Sequence, residues 1–153
     1  MAELAIEVQY RDALPADAAV LTHHRFDTAT GCDAERAAYS EWVRRRVEGG
    51  AYIGRLALVG GVVISGAGVV LLDWGPTRGN VGGLVGRVVA VFTEPEWRRR
   101  GVAGELLRQV MACAAAQGVR DFRLAASTDG AGLYTAIGFK PYGAEMVFKG
   151  LPA

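Results

Sequence analysis

The chain is 153 residues long, 51% hydrophobic and 22% charged, which is the size and composition of one globular domain, residues 1–153. Its 17 lysine and arginine residues against 16 acidic residues give a net charge of +1, so no overall field would attract a nucleic acid or a membrane. The two cysteines build no disulfide framework and the N-terminus shows no signal-peptide pattern, so we expect a cytoplasmic protein.

The first third of the sequence predicts a strand followed by two helices. Residues 6–10 alternate between apolar and polar side chains, as a half-buried strand does. A helix is expected from Pro15 to about Phe26, because proline is favoured in a first helical turn. A second helix is expected from Asp33 to about Glu48, where Gly49-Gly50 ends it.

The longest uncharged run, residues 56–72, has two interpretations. Its 17 residues lie at the lower limit for a membrane-spanning helix. However, Gly60-Gly61 interrupts the run after a β-like segment, as a hairpin turn does. We therefore predict two antiparallel strands, 51–59 and 62–73, followed by a glycine-rich loop at 75–86.

The second half of the sequence predicts a parallel strand–helix–strand unit. Residues 87–93 are rich in β-branched side chains and precede Glu94-Pro95, which ends the strand. Val102, Leu106, Val110 and Ala114 recur every four residues, as on one face of a helix, and Gly118 stops it. A strand at 122–126, a short helix at 131–137 and a last strand at 139–148 complete a mixed α/β sheet.

The turn at residues 98–104 does not suit the start of a helix. Arg98, Arg99 and Arg100 place cations against the positive end of the helix dipole, and no Ser, Thr, Asp or Asn caps the junction. A bound phosphate would satisfy the free N–H groups, and Gly101 and Gly104 would let the backbone approach it. The alternative is a solvated basic turn.

Two motifs in this half resemble the GNAT superfamily of acetyl-CoA-dependent N-acetyltransferases. Residues 91–103, with Arg98-Arg99-Arg100-Gly101-Val102-Ala103, are similar to the family's R/Q-x-x-G-x-G/A pattern. Residues 127–139 contain Leu133-Tyr134 and Gly138-Phe139 in the order of its LY-x-x-x-GF pattern. The resemblance implies a GNAT-like β-α-α-β-β-β-α-β-α-β order in which the central parallel strands splay apart.

The resemblance also implies that acetyl-CoA binds in the splay as co-substrate, with no metal. The contacts that it implies are the backbones of Val91, Phe92 and Thr93, the turn Arg98, Arg99, Arg100, Gly101, Val102, Ala103 and Gly104, and residues Ser127, Gly130 and Tyr134. Ser127 stands where many relatives carry an asparagine, and its hydroxyl has a shorter reach.

Tyr134 matches the family's tyrosine that donates a proton to the departing thiolate, and the alternative is that it only packs its helix. The acceptor amine is expected to meet the segment from His23 to Asp33, through His24, Phe26 and Asp27. The base that would deprotonate the amine is not identified. Its candidates are Asp73, Glu94, Glu96 and the pair His23-His24, each of which is also an ordinary surface residue.

The function predicted from the sequence is transfer of an acetyl group from acetyl-CoA to a primary amine, by direct attack in a ternary complex. The acceptor would be a small molecule or a peptide, with no nucleic acid or membrane as partner, and a homodimer is left open. A CoA-binding sensor without catalysis is the main alternative. A nucleic-acid-binding module that uses 44–46 and 98–100 is a further one, which the near-neutral charge disfavours.

Overall fold

The computed structural model describes residues 5–26 and 31–150. Its strands are β1 (Gln9–Asp12), β2 (Tyr52–Val59), β3 (Val62–Asp73), β4 (Leu84–Thr93) and β5 (Asp121–Arg123). Its α-helices are α1 (Ala18–Arg25), α2 (Asp33–Glu48), α3 (Val102–Ala116) and α4 (Ala131–Ile137), with 3-10 turns at Pro15–Asp17 and Pro95–Trp97. None of these helices, within the ranges described, is long and apolar enough to cross a bilayer.

The five strands form one mixed sheet in the order of the chain, β1 to β5. Neighbours from β1 to β4 are antiparallel, and β4 and β5 are parallel because α3 crosses between them. The predicted hairpin is confirmed: Gly60 and Gly61, with φ of +56° and +81°, join β2 to β3. The predicted α/β class and the parallel unit are thus both present.

The sheet buries a separate apolar cluster on each face. Leu106, Leu107 and Val110 of α3 pack with Ala57 and Val69, whereas Val43 of α2 packs with the neighbouring strand residues Leu56 and Val70. Consecutive strand residues point to opposite faces, so α3 covers one face and α1 and α2 cover the other. Any ligand between the strands therefore meets different helices on its two sides.

β4 is distorted at Ala90 and separates from β5 halfway along its length. Gly66 pairs with Phe92 but Gly68 pairs with Val89, so two residues of β4 lie opposite one of β3, and Ala90 has a φ of +52°. This is a β-bulge. The pairing with β5 covers only Val85 to Arg87, so the predicted splay is present beyond Arg87.

The predicted last strand is wrong. Residues 139–150 contain no strand, and Pro141 and Gly143 interrupt the segment that was expected to pair. Its Met146 side chain is 96% exposed. β5 also ends at Arg123 rather than at 126, because the departing β4 leaves no backbone on that side to pair with. β1 starts at Gln9, three residues later than predicted.

Candidate active site

A cavity of about 320 Å³ fills the gap where β4 and β5 separate. Strand β4 contributes Arg87, Val88, Val89, Ala90 and Val91 to its lining. The segment after β5 contributes Leu124, Ala125 and Ser127, and His24 and Arg25 come from α1 and Tyr134 from α4. The cavity therefore lies beside the bulge and is reached by helices from both faces of the sheet.

The outer edge of β4 offers backbone groups to this gap. The Glu94 N–H donates to the Ile64 carbonyl of β3 at 2.8 Å, so the backbone of Thr93 points the other way, because these groups alternate along a strand. By the same alternation Val91 also faces the gap and Phe92 faces β3. The Thr93 carbonyl accepts from Arg98 Nε at 2.8 Å, which ties the basic turn to the end of the strand.

The turn before α3 leaves the first N–H groups of the helix unsatisfied. Gly101 occupies the cap position with a φ of +78° and no side-chain cap, and the first helical bond runs from the Glu105 N–H to its carbonyl at 3.2 Å. The N–H groups of Val102, Ala103 and Gly104 have no acceptor within the helix. Such a row of donors suits an anion, as the sequence predicted.

The three arginines of this turn take different positions. The Arg98 guanidinium lies 5.7 Å from the centre of the Phe92 ring, and that of Arg100 lies 4.9 Å from the Trp97 ring. Arg99 has a φ of +62°, a conformation that a non-glycine residue seldom adopts. The backbone here turns through positive φ at Arg99 and Gly101, while two of the three arginine side chains rest on aromatic rings.

Three other predicted contact residues have structural roles at α4. Ser127 Oγ accepts a hydrogen bond from the Gly130 N–H at 3.2 Å, just before the first residue of this helix. A Cβ built on Gly130 would lie 2.9 Å from Tyr134 Cε2, so glycine lets the Tyr134 ring cover this turn. Gly104 is buried where Leu133 of α4 crosses α3, since a Cβ there would lie 3.4 Å from Leu133 Cδ1.

Tyr134 is half-buried and lines the cavity in the splay. Its ring meets that of Phe139 edge-on, with centroids 6.0 Å apart. Burial raises the pKa of the Tyr134 phenol, so the hydroxyl keeps its proton at neutral pH. A protonated phenol at this wall can donate a hydrogen bond or a proton into the cavity.

His24 reaches the same cavity from α1, on the opposite face of the sheet. The residue is only 5% exposed, and its ring stacks on Phe92 with centroids 5.0 Å apart. Nδ1 is buried against Gly66 without a hydrogen-bond partner among the described residues, and His24 is part of the cavity lining. Burial, and then the nearby His23, lower the pKa of His24 to about 4, so the imidazole is neutral at neutral pH.

The other acceptor-side candidates are dispersed. His23 Nε2 lies 2.9 Å from Glu94 Oε1, which joins two of the proposed bases to each other. Phe26 packs edge-on against Tyr39, with centroids 5.7 Å apart, and is not part of the cavity lining. Asp27 lies outside the described residues. The side chains of Asp73 and Glu96 are not part of the lining either.

A family model described as an acetyltransferase (GNAT) domain matches residues 50–141. The chain belongs to this family. The matched segment includes β4, the basic turn, α3, β5 and α4, which are the elements that build the cavity. Among curated proteins, none matches this chain in sequence.

Solved structures share the GNAT fold over nearly the whole chain. A predicted acetyltransferase from Clostridium acetobutylicum, solved with acetyl-CoA, is 21% identical, with a TM-score of 0.86 and coverage of 94% of this chain and 96% of its own. A GCN5-related N-acetyltransferase from Ralstonia eutropha is 24% identical, with a TM-score of 0.83 and coverage of 94% and 98%. An aminoglycoside N-acetyltransferase solved with CoA is 18% identical, with a TM-score of 0.76 and coverage of 98% and 99%.

A charged residue of this GNAT cavity was missed by the sequence analysis. Arg87 of β4 lines the cavity in the splay and also a second one of about 460 Å³ between β5, α4 and the segment after it. In the parallel register Arg87 lies directly opposite Arg123. The available signal was a cation at the start of a strand that otherwise runs apolar to Phe92.

Proposed function

We propose that this GNAT acetyltransferase moves an acetyl group from acetyl-CoA to a primary amine of a small molecule or a peptide, with both substrates bound at once. The observation that carries the proposal is the splay itself. It gives one cavity an open strand edge, a protonated Tyr134 and a neutral His24, and the uncapped start of α3 lies beyond the end of the same strand.

The residues present fit acetyl-CoA. The N–H groups of Val102, Ala103 and Gly104 would receive the pyrophosphate, and the backbones of Val91 and Thr93 would pair with the pantetheine amides. This order runs the cofactor from the turn back along β4, so its reactive end lies near the bulge at Ala90. Two of the structural neighbours were solved with acetyl-CoA or CoA, which supports this choice of co-substrate.

Acetyl-CoA would supply the activated acetyl thioester. The neutral amine attacks the acetyl carbon, so that a C–N bond forms and the C–S bond breaks, with no covalent bond to the protein. Tyr134 gives its proton to the departing sulfur, and the proton lost by the amine leaves towards solvent. His24, neutral at neutral pH, accepts a hydrogen bond from the amine and so orients its lone pair.

An acetyl-CoA turnover screen across classes of amine, read as release of free thiol, tests the proposal together with calorimetry of CoA binding. Turnover with a primary amine supports it. CoA binding without turnover of any amine would instead favour the sensor alternative. If neither CoA nor acetyl-CoA binds, the proposed function is wrong. Binding of nucleic acid that disappears at moderate salt would not contradict the proposed function, because such weak electrostatic binding reports only the exposed arginines.

A further inference from the structure

We propose that the acceptor amine carries an anionic group, a carboxylate or a phosphate, which Arg87 binds where β4 and β5 separate. This inference rests on the proposed function and adds the chemical class of the acceptor. It rests on the charges around the cavity, the strand register of Arg87 and the distance of Arg87 from the turn where the pyrophosphate would bind.

The described lining of the cavity is positively charged. It includes Arg25 and Arg87 and, among the residues that the structure describes, no carboxylate. The acetyl and pantetheine parts of the co-substrate are neutral, so neither offers a counter-ion to these two guanidiniums. Arginine binds carboxylates and phosphates through two parallel hydrogen bonds, which makes an anion on the acceptor the natural partner.

Arg87 lies opposite another cation across the strands and has no acidic partner of its own among the described residues. Arg123 lies opposite it in the register, and like charges in that position repel each other. Arg123 is itself neutralised by Asp121 at 3.2 Å and by Glu145 at 3.9 Å. Within residues 5–26 and 31–150 Arg87 forms no ion pair, although it is half-buried between two cavities.

Arg87 is too far along β4 to bind the pyrophosphate of CoA. Thr93 is six positions further along the strand, about 20 Å of extended chain, and the basic turn lies beyond Thr93. Arg87 is only three residues from Ala90, about 10 Å, where the reactive end of the thioester is placed. The structure therefore has room for a second anion close to the reacting amine and apart from the cofactor phosphates. The acceptor is thus a compact molecule, with its anionic group within about 10 Å of the reacting amine.

The test compares two matched pairs of amines in the acetylation assay. Lysine and 1,5-diaminopentane differ by a carboxylate, and glucosamine 6-phosphate and glucosamine differ by a phosphate. In at least one pair we expect the member with the carboxylate or the phosphate to have the higher kcat/KM by about tenfold or more, and the favoured pair identifies the anion. Arg87→Gln removes that preference and leaves the dissociation constant of CoA unchanged. Arg45→Gln, an equal loss of charge on the exposed side of α2, keeps the preference.

Calorimetry with the same four compounds and the CoA-saturated protein gives a readout that does not need turnover. The two compounds that carry a carboxylate or a phosphate should bind to the wild type and lose about tenfold or more in affinity in Arg87→Gln. Amines without such a group that bind and react as well as their partners would overturn the inference, as would an unchanged preference in Arg87→Gln. Either result can occur in an active acetyltransferase, whereas the proposed function fails only if neither CoA nor acetyl-CoA binds, or if no amine is acetylated.

Discussion

Gly66 of β3 lies directly against the imidazole of His24. A Cβ built on Gly66 would be 2.6 Å from His24 Nδ1, closer than real Cβ atoms approach a neighbour, and 3.0 Å from Leu56 Cδ2, which is a tight contact. Only glycine therefore allows His24 to stack on Phe92 and reach the cavity from α1. The sheet, rather than the helix alone, fixes the position of this ring.

Gly66→Ala should expel His24 from its place on the sheet. Overpacking of a close-packed core costs about 1–3 kcal/mol of stability. Urea unfolding should show this loss, and the acetylation rate should fall because His24 no longer reaches the amine. Gly82→Ala is the matched control, since its Cβ would meet nothing within 4 Å. Equal stability of both variants would show that the contact is easily relieved.

The buried His24 predicts a loss of stability in acid. Its pKa is about 4 in the folded protein against an ordinary 6.5. Between these pH values the unfolded chain binds a proton at His24 that the folded chain does not. The stability of the folded state is therefore unaffected by His24 above pH 6.5 and falls as the pH is lowered to about 4. The full difference corresponds to about 3 kcal/mol. Denaturant midpoints of the wild type should fall more steeply than those of His24→Gln in this range, and parallel curves would contradict the prediction.

The uncapped turn predicts that CoA affinity depends on the start of α3. Ala103→Asp places a carboxylate where the N–H groups would receive the pyrophosphate, and Gly101→Val cannot easily adopt the φ of +78°. Each should weaken CoA binding by more than about tenfold, or 1.4 kcal/mol, in calorimetry. Ala112→Asp makes the same charge change on an exposed position of α3 and should bind normally. Normal affinity in both folded turn variants would remove this site.

Tyr134→Phe separates acid catalysis from packing. The ring, and with it the contact to Phe139, is retained, while the proton that burial holds on the phenol is removed. CoA affinity should stay constant while kcat falls by about 10²-fold. Tyr10→Phe, on β1 and outside the cavity, is the control. An unchanged kcat, measured where chemistry limits the rate, would reduce Tyr134 to a packing residue.

The parts of the fold that the sequence predicted are those with local signals. Gly60-Gly61 marked the hairpin and Gly118, with a φ of +100°, marked the end of α3. The strand expected at 139–148 is absent, although Pro141 and Gly143 within it are local signals against a strand. The early end of β5 at Arg123 has no local signal, because it depends on where the pairing of β4 and β5 stops in the folded sheet.

The candidate site was predicted where a motif spans neighbouring residues and was missed where contacts are long-range. The turn before α3 can be predicted from residues 98–104, because a missing helix cap is a local feature of the sequence. The pairing of His23 with Glu94 joins residues 71 positions apart, and the opposition of Arg87 and Arg123 depends on a register that only the folded sheet defines. The local sequence indicated the role of Arg87 only through its being a single arginine in an apolar strand.

Substitutions on the acceptor side of the splay should change the kinetics of the amine rather than the affinity for CoA. His24→Gln keeps a polar side chain but loses the ring that stacks on Phe92, so it should raise the KM of the acceptor or lower kcat and leave CoA affinity nearly unchanged. His23→Gln breaks the contact with Glu94 but stays outside the cavity lining, so its effect on acceptor kinetics should be smaller. Steady-state kinetics with each substrate varied in turn distinguish the two. If Glu145→Gln changes acceptor kinetics and His24→Gln does not, the amine binds instead in the larger cavity beside β5, which Glu145 lines.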